Sequence, residues 1–138
     1  MDAVVQEEIS GCGIAACAAL AGITYAESKA RANALGIHAE DPGLWSSTES
    51  VRRLARSLGL KLAADERPFT GWESLPDRAL LAIKWRLESG KPFWHWTVFV
   101  REGAEHYVLD SKKALRHNRR VDFGRIKPKW FIALERAS

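Results

Sequence analysis

Cysteine, methionine and tyrosine are scarce in this 138-residue chain, with two, one and two copies. Cys12 and Cys17 are too few for a disulfide scaffold. Five residues apart on one helix, they point in different directions, which argues against a mutual bridge. Two thiols alone also make a poor metal site. The turn-rich stretch around His38, Glu40 and Asp41 lacks a second histidine, so neither a metal nor another cofactor is expected. No apolar run approaches the length of a membrane span. The opening residues, Met1 to Glu8, carry acids where a secretory signal needs Lys or Arg, and no long apolar core follows. A cytoplasmic protein is expected. Internal repeats, low-complexity tracts and glycine-rich phosphate loops are missing too.

What is present is the material of an ordinary globular domain. With 46% hydrophobic and 28% charged residues, one domain over 1–138 can bury a real core. The net charge of +4 is unevenly placed: eight bases and the single acid Asp122 lie between Lys112 and Lys129, so that segment is +7 and the remainder −3. It reads as a solvated loop covering a sheet edge, or as a surface that attracts an acidic peptide or partner. Its aromatics are too sparse for a base-stacking platform, and no nucleic-acid motif is present, so no nucleic-acid partner is expected. A role in chemistry is not expected of it either.

The chain divides into helices first and strands after. Residues 12–21 form an alanine-rich helix stopped by Gly22. Thr24 caps a helix over about 25–35. Ser46 or Ser47 caps a third over about 48–58, with Val51, Leu54, Ala55 and Leu58 on its apolar face. The period then changes. Leu60–Leu62 is a short strand, 65–78 a loop, and Leu80–Trp85 a buried strand that Arg86-Leu87-Glu88 could instead extend as helix. After a turn over 88–92 come strands at Phe93–Val100, His106–Asp110 and Trp130–Leu134. This order indicates an α+β domain with helices packed on an antiparallel sheet.

The stretch from Gln6 to Leu20 stands out. Cys12 lies between Gly11 and Gly13 where a loop meets the start of a buried helix. Unpaired N–H groups and partial positive charge at such a helix start favour a thiolate, the nucleophilic form. The two glycines leave room for another backbone, such as a peptide substrate, to approach. Six residues upstream, the Gln6 amide could donate to an oxyanion formed beside the sulfur.

A second constellation lies in the strands. With Arg101–Ala104 as a four-residue loop, Val100 pairs with Glu105, and His95 falls directly opposite Asp110, within reach of a carboxylate for an imidazole. Alternation puts His95, Thr97, Phe99, His106, Val108 and Asp110 on one face. Trp96, Val98, Val100, Tyr107 and Leu109 take the other, the core face. Taken singly, Cys12 reads as a structural cysteine, His95 as a satisfied strand histidine and Asp110 as a turn residue. Taken together, thiol, base and orienting acid follow the general design of an activated nucleophile. His106 is a competing base ranked second, because it faces Phe99 near the turn.

These residues resemble the bacteriocin-processing, double-glycine-leader cysteine peptidases, which have a papain-like fold. The resemblance rests on Gln6 with Cys12-Gly13-Ile14-Ala15, and on His95-Trp96-Thr97-Val98 with an Asp about fifteen residues later. It spans essentially the whole chain. It implies Cys12 as nucleophile, His95 as general base and acid, Asp110 as its orienter and Gln6 as oxyanion donor. Gly11 and Ser111 depart from the family, which often has an acid or amide before the cysteine and usually proline after the aspartate. Family members are often fused to a transporter; this chain would be a stand-alone relative associating with a separate one. The expected activity is cysteine-peptidase cleavage of a peptide or protein, of leader or double-glycine type. Acyl or amide transfer on the same fold, and peptide binding without catalysis, are the alternatives. Nothing in the sequence sets the oligomeric state.

Overall fold

The computed structural model describes residues 1–137, apart from the side chains of Trp45, Arg136 and Ala137. Three α-helices precede all of the strands. Helix α1 spans Cys12–Ala21, α2 Tyr25–Ala34 and α3 Glu49–Ser57, with a 3₁₀ turn over Pro42–Ser46 between the last two. Their ends follow local chemistry. Gly22 closes α1 in the left-handed conformation, φ +70°. Thr24 and Glu27 form a reciprocal capping box on α2. The α3 cap differs from the expected serine: Thr48 occupies the position without a side-chain bond, and the Ser47 hydroxyl accepts from the Glu49 N–H instead.

The strands are β1 (Leu60–Leu62), β2 (Arg67–Pro68), β3 (Arg78–Glu88), β4 (Lys91–Glu102), β5 (Glu105–Leu109), β6 (Arg119–Arg120) and β7 (Trp130–Ala137). They form an antiparallel sheet in the order β1-β7-β3-β4-β5-β6, with β2 paired to β7. The α+β architecture is as the sequence indicates. Residues 65–78 are not all loop, since they contain β2 and a 3₁₀ turn at Trp72–Ser74. The hydrogen bond from Phe69 N–H to the Lys129 carbonyl holds this segment on β7. The run from Leu80 stays strand through Glu88 and turns at Ser89-Gly90, both at positive φ, as a two-residue hairpin turn requires.

Two apolar layers flank the sheet. On one face α1 is buried on nearly every side, and its alanines let the backbone approach β4 closely. Leu80, Ala82, Trp96, Val98, Val100, Tyr107 and Leu109 meet the helices there. On the other face Leu81, Ile83, Phe99, Val108 and Phe131 pack against Leu75 and Ile126. The alternation along β4 is therefore the expected one.

The β4–β5 register is not. Glu102 pairs with Glu105, Arg101 with His106, Val100 with Tyr107 and Val98 with Leu109. Only Gly103-Ala104 is left as the turn, with Gly103 at φ +60°. The predicted four-residue loop left Glu102 off the ladder and set Glu105 opposite Val100, so like charges would not face each other. Here each finds its own partner: Glu102 accepts from the Tyr107 hydroxyl at 2.6 Å and pairs with Arg78 at 3.5 Å, and Glu105 lies 3.7 Å from Arg119. A shift of two residues keeps every side chain on its face. No helix among the described residues is long and apolar enough to cross a membrane.

Candidate active site

Strand β5 ends at Leu109, opposite Val98. Beyond that point β4 loses its neighbour, and the start of α1 takes the place. The Trp96 N–H donates to Cys12 Sγ at 3.4 Å. Packing fixes this approach. Trp94, Trp96 and Trp130 pack edge to face, with ring centroids 5.1–5.8 Å apart. A Cβ on Gly13 would lie 3.4 Å from the Trp96 ring, so the helix start rests directly on that indole.

The space beside the neighbouring glycine is also filled by the protein. A Cβ on Gly11 would meet the Tyr25 hydroxyl at 2.2 Å. That hydroxyl donates to Glu8, which also pairs with Lys29. Close packing, not the approach of a substrate backbone, requires glycine at 11.

The structure brings Cys12, His95 and Asp110 together. His95 Nε2 is 2.7 Å from Asp110 Oδ1, and the Cys12 sulfur accepts from the N–H of Trp96, the residue next to His95. Continuing the ladder places Asp110 across from Thr97, so it is the diagonal neighbour of His95. Burial opposes a charge on His95, but the hydrogen bond to Asp110 and the interaction with Cys12 outweigh it and raise the pKa to about 9. Asp110 is fully buried. Burial would raise its pKa, yet the His95 bond and charge, with the Lys112 N–H and Arg120, bring it down to about 2. Cys17 is different: its thiol donates to the Val51 carbonyl at 3.8 Å, and burial pushes its pKa up to about 12. His106, the rival base, stacks on Phe123 with ring centroids 4.8 Å apart, on the far side of Phe99.

Gln6 is buried at the edge of the same cleft, with its amide engaged. Nε2 donates to the Glu8 carbonyl at 2.9 Å and to the Ile9 carbonyl at 2.8 Å, and Oε1 accepts from the Ser111 hydroxyl at 2.6 Å. The Gln6 N–H also donates to the Ser111 carbonyl at 3.0 Å. Ser111 is therefore what holds Gln6.

Sequence reasoning missed Arg120. It donates to Asp110 Oδ2 at 3.0 Å and grips Asp122 with two nitrogens at 2.9 and 2.7 Å. The basic segment is thus not only a solvated loop. Its strand β6 pairs with β5 and carries a guanidinium to the buried carboxylate. Asn118 closes the intervening turn by donating to the Asp110 and Lys112 carbonyls. Asp122 two residues after Arg120 was the one available signal, and it reads equally well as a local surface pair.

Cys12 and His95 open onto a cleft of about 380 Å³. Gln6 to Ile9, Trp94 and the cations Lys84, Arg86, Lys112 and Lys113 line it. Among the described residues no three His, Cys, Asp or Glu side chains gather as a metal site. The arrangement can hold a thiol against an imidazole that is itself held by a carboxylate.

No protein-family model and no curated protein matches the chain. In structure the chain is similar to a double glycine motif protease from an AMS/PCAT transporter, solved in complex with the leader peptide. The likeness covers 96% of this chain and 89% of that one, with a TM-score of 0.59 and 15% identity. At that identity it shows the fold, which is papain-like.

Proposed function

We propose that this chain is a cysteine peptidase acting through Cys12, His95 and Asp110. The observation that carries the reading is His95 bound to Asp110 while it lines the same cleft as Cys12, whose sulfur is held by the N–H of the adjacent Trp96. His95 takes the thiol proton, and the thiolate attacks the carbonyl carbon of a peptide bond. The oxyanion is received by the Cys12 backbone N–H and by Gln6, whose amide turns one N–H away from the loop carbonyls. His95 then protonates the departing amine, leaving a thioester. Water, deprotonated by His95, cleaves the thioester and restores the thiol.

The structural neighbour's leader peptide suggests a substrate of that kind here, with a double-glycine cleavage site and a separate transporter as partner. The reading needs no cofactor, and it places the chain in the cytoplasm as a single domain. The test is digestion of a mixed peptide library by the protein and by Cys12→Ala, with new termini read by mass spectrometry. Cleavage that depends on Cys12 is expected. Products that instead carry an added amine acceptor would reassign the reaction to acyl transfer, and no Cys12-dependent change would leave a peptide-binding domain.

A further inference from the structure

The cationic lining of the cleft has an unusual construction. The β3–β4 ladder slips between Ile83 and Arg86, and within that slip Lys84 adopts a left-handed backbone, φ +54°. Such a conformation is uncommon for lysine and is stored where surrounding structure enforces it. The bulge turns Lys84 to the cleft that holds Cys12 and His95. Lys84 lines that cleft together with Lys112, which comes from the turn after Asp110. Although Lys84 is exposed, partial desolvation and then the Lys112 charge lower its pKa, against the pull of Asp110.

Neither ammonium forms an ion pair with a carboxylate among the described residues, although other cations near the site do. Arg86 faces Glu88, Lys29 faces Glu8, and Arg120 holds Asp110 and Asp122. Lys113 adds a third amine to the same lining. The cleft therefore offers donors and positive charge in excess of what the protein itself uses.

We propose that Lys84 and Lys112 form a carboxylate-binding subsite beside Cys12, so that the preferred substrate is a peptide with a carboxylate close to the scissile bond. This rests on the reading of Cys12 as the nucleophile. The carboxylate could be a Glu or Asp side chain, or the free C-terminus of a short peptide.

Three alkylating probes separate these sources: iodoacetyl-glutamine amide, which is neutral; iodoacetyl-glutamate α-amide, with only a side-chain carboxylate; and iodoacetyl-glutamine, with only a C-terminal one. Cys12 labelling rates are compared at low salt for the natural protein and for Lys84→Asn/Lys112→Gln. Asparagine tolerates the left-handed backbone at position 84, so the variant keeps its fold. At least one anionic probe should outpace the neutral one by about tenfold or more, the lower end of electrostatic focusing. The variant should lose that advantage while reacting normally with the neutral probe. Lys127→Gln, outside the cleft, should change nothing. The faster anionic probe identifies the source. Equal rates for all three probes, or an advantage that survives in the double variant, overturns the subsite alone. Failure of every probe to label Cys12 in the natural protein overturns the nucleophile and the subsite together.

Discussion

His95 and Asp110 are diagonal neighbours across β4 and β5, and their side chains still close to 2.7 Å. The contact works because Asp110 lies just past the end of β5, where its carboxylate also receives the Lys112 N–H at 3.1 Å and Arg120 at 3.0 Å. The base is thus oriented by a carboxylate that is itself held from three directions.

That arrangement sets a pH dependence. His95 has its pKa raised from 6.5 to about 9, so its contribution to stability is complete below 6.5 and is lost as pH rises through 9. Asp110 has its pKa lowered from 3.8 to about 2, so its contribution is complete above 3.8 and is lost as pH falls through 2. Peptide cleavage should decline as pH rises through about 9, where His95 loses the proton it gives to the leaving amine. Proton-resolved NMR of the imidazole should show the same midpoint. A midpoint near 6.5 would contradict the description of the pair.

Asp110→Asn and Arg120→Gln should move that alkaline limb in opposite directions. The asparagine removes the charge that favours imidazolium, so the limb falls. Turnover falls with it, by up to about 10⁴-fold on the scale of other triad carboxylates. Loss of the Arg120 cation leaves Asp110 less neutralised, so the limb rises. The same direction of shift in both variants would show that Arg120 does not act on His95 through Asp110.

The two thiols should differ in alkylation. Cys12 faces the cleft, whereas Cys17 is fully buried with its pKa pushed to about 12. Iodoacetamide should label Cys12 alone in the folded protein and both in denaturant. Equal labelling in the folded state would remove the basis for the assignment.

Gln6→Ala should act twice. Losing an oxyanion donor lowers kcat by roughly 10²–10³-fold. Losing the bonds to the Glu8 and Ile9 carbonyls lowers stability, by about 1–3 kcal/mol for the groups left unpaired. Ser111→Ala removes only the bond to Oε1 and should cost far less turnover. Equal losses in substrate binding and turnover for Gln6→Ala would make Gln6 a substrate contact or a loop brace alone.

The helices and the sheet face of His95 were legible because each rests on short-range pattern, whereas Cys12, His95 and Asp110 could be grouped only by residue type, order and resemblance. Alternation fixed which residues of β4 share a face, and glycines marked the helix ends. The turn length was not legible. Glu102 opposite Glu105 looks unfavourable until Tyr107, Arg78 and Arg119 are in place, and those contacts exist only in the folded chain. Arg120 was hidden in a run of bases whose spacing gives no period. The grip of Ser111 on Gln6 joins residues 105 positions apart, so no local signal could announce it.

Strand β7 lies between β1 and β3, with β2 on it as well. Everything the sheet gains on that side waits for a segment some distance along the chain to arrive and slot in. Contacts of such long sequence separation close late and slow the search for the native state. Until β7 docks, β1 and β3 present open edges that invite pairing with other molecules. Refolding should therefore be sensitive to protein concentration, and a peptide matching residues 130–137, added in excess, should compete for the vacant slot and delay recovery of the reactive thiol.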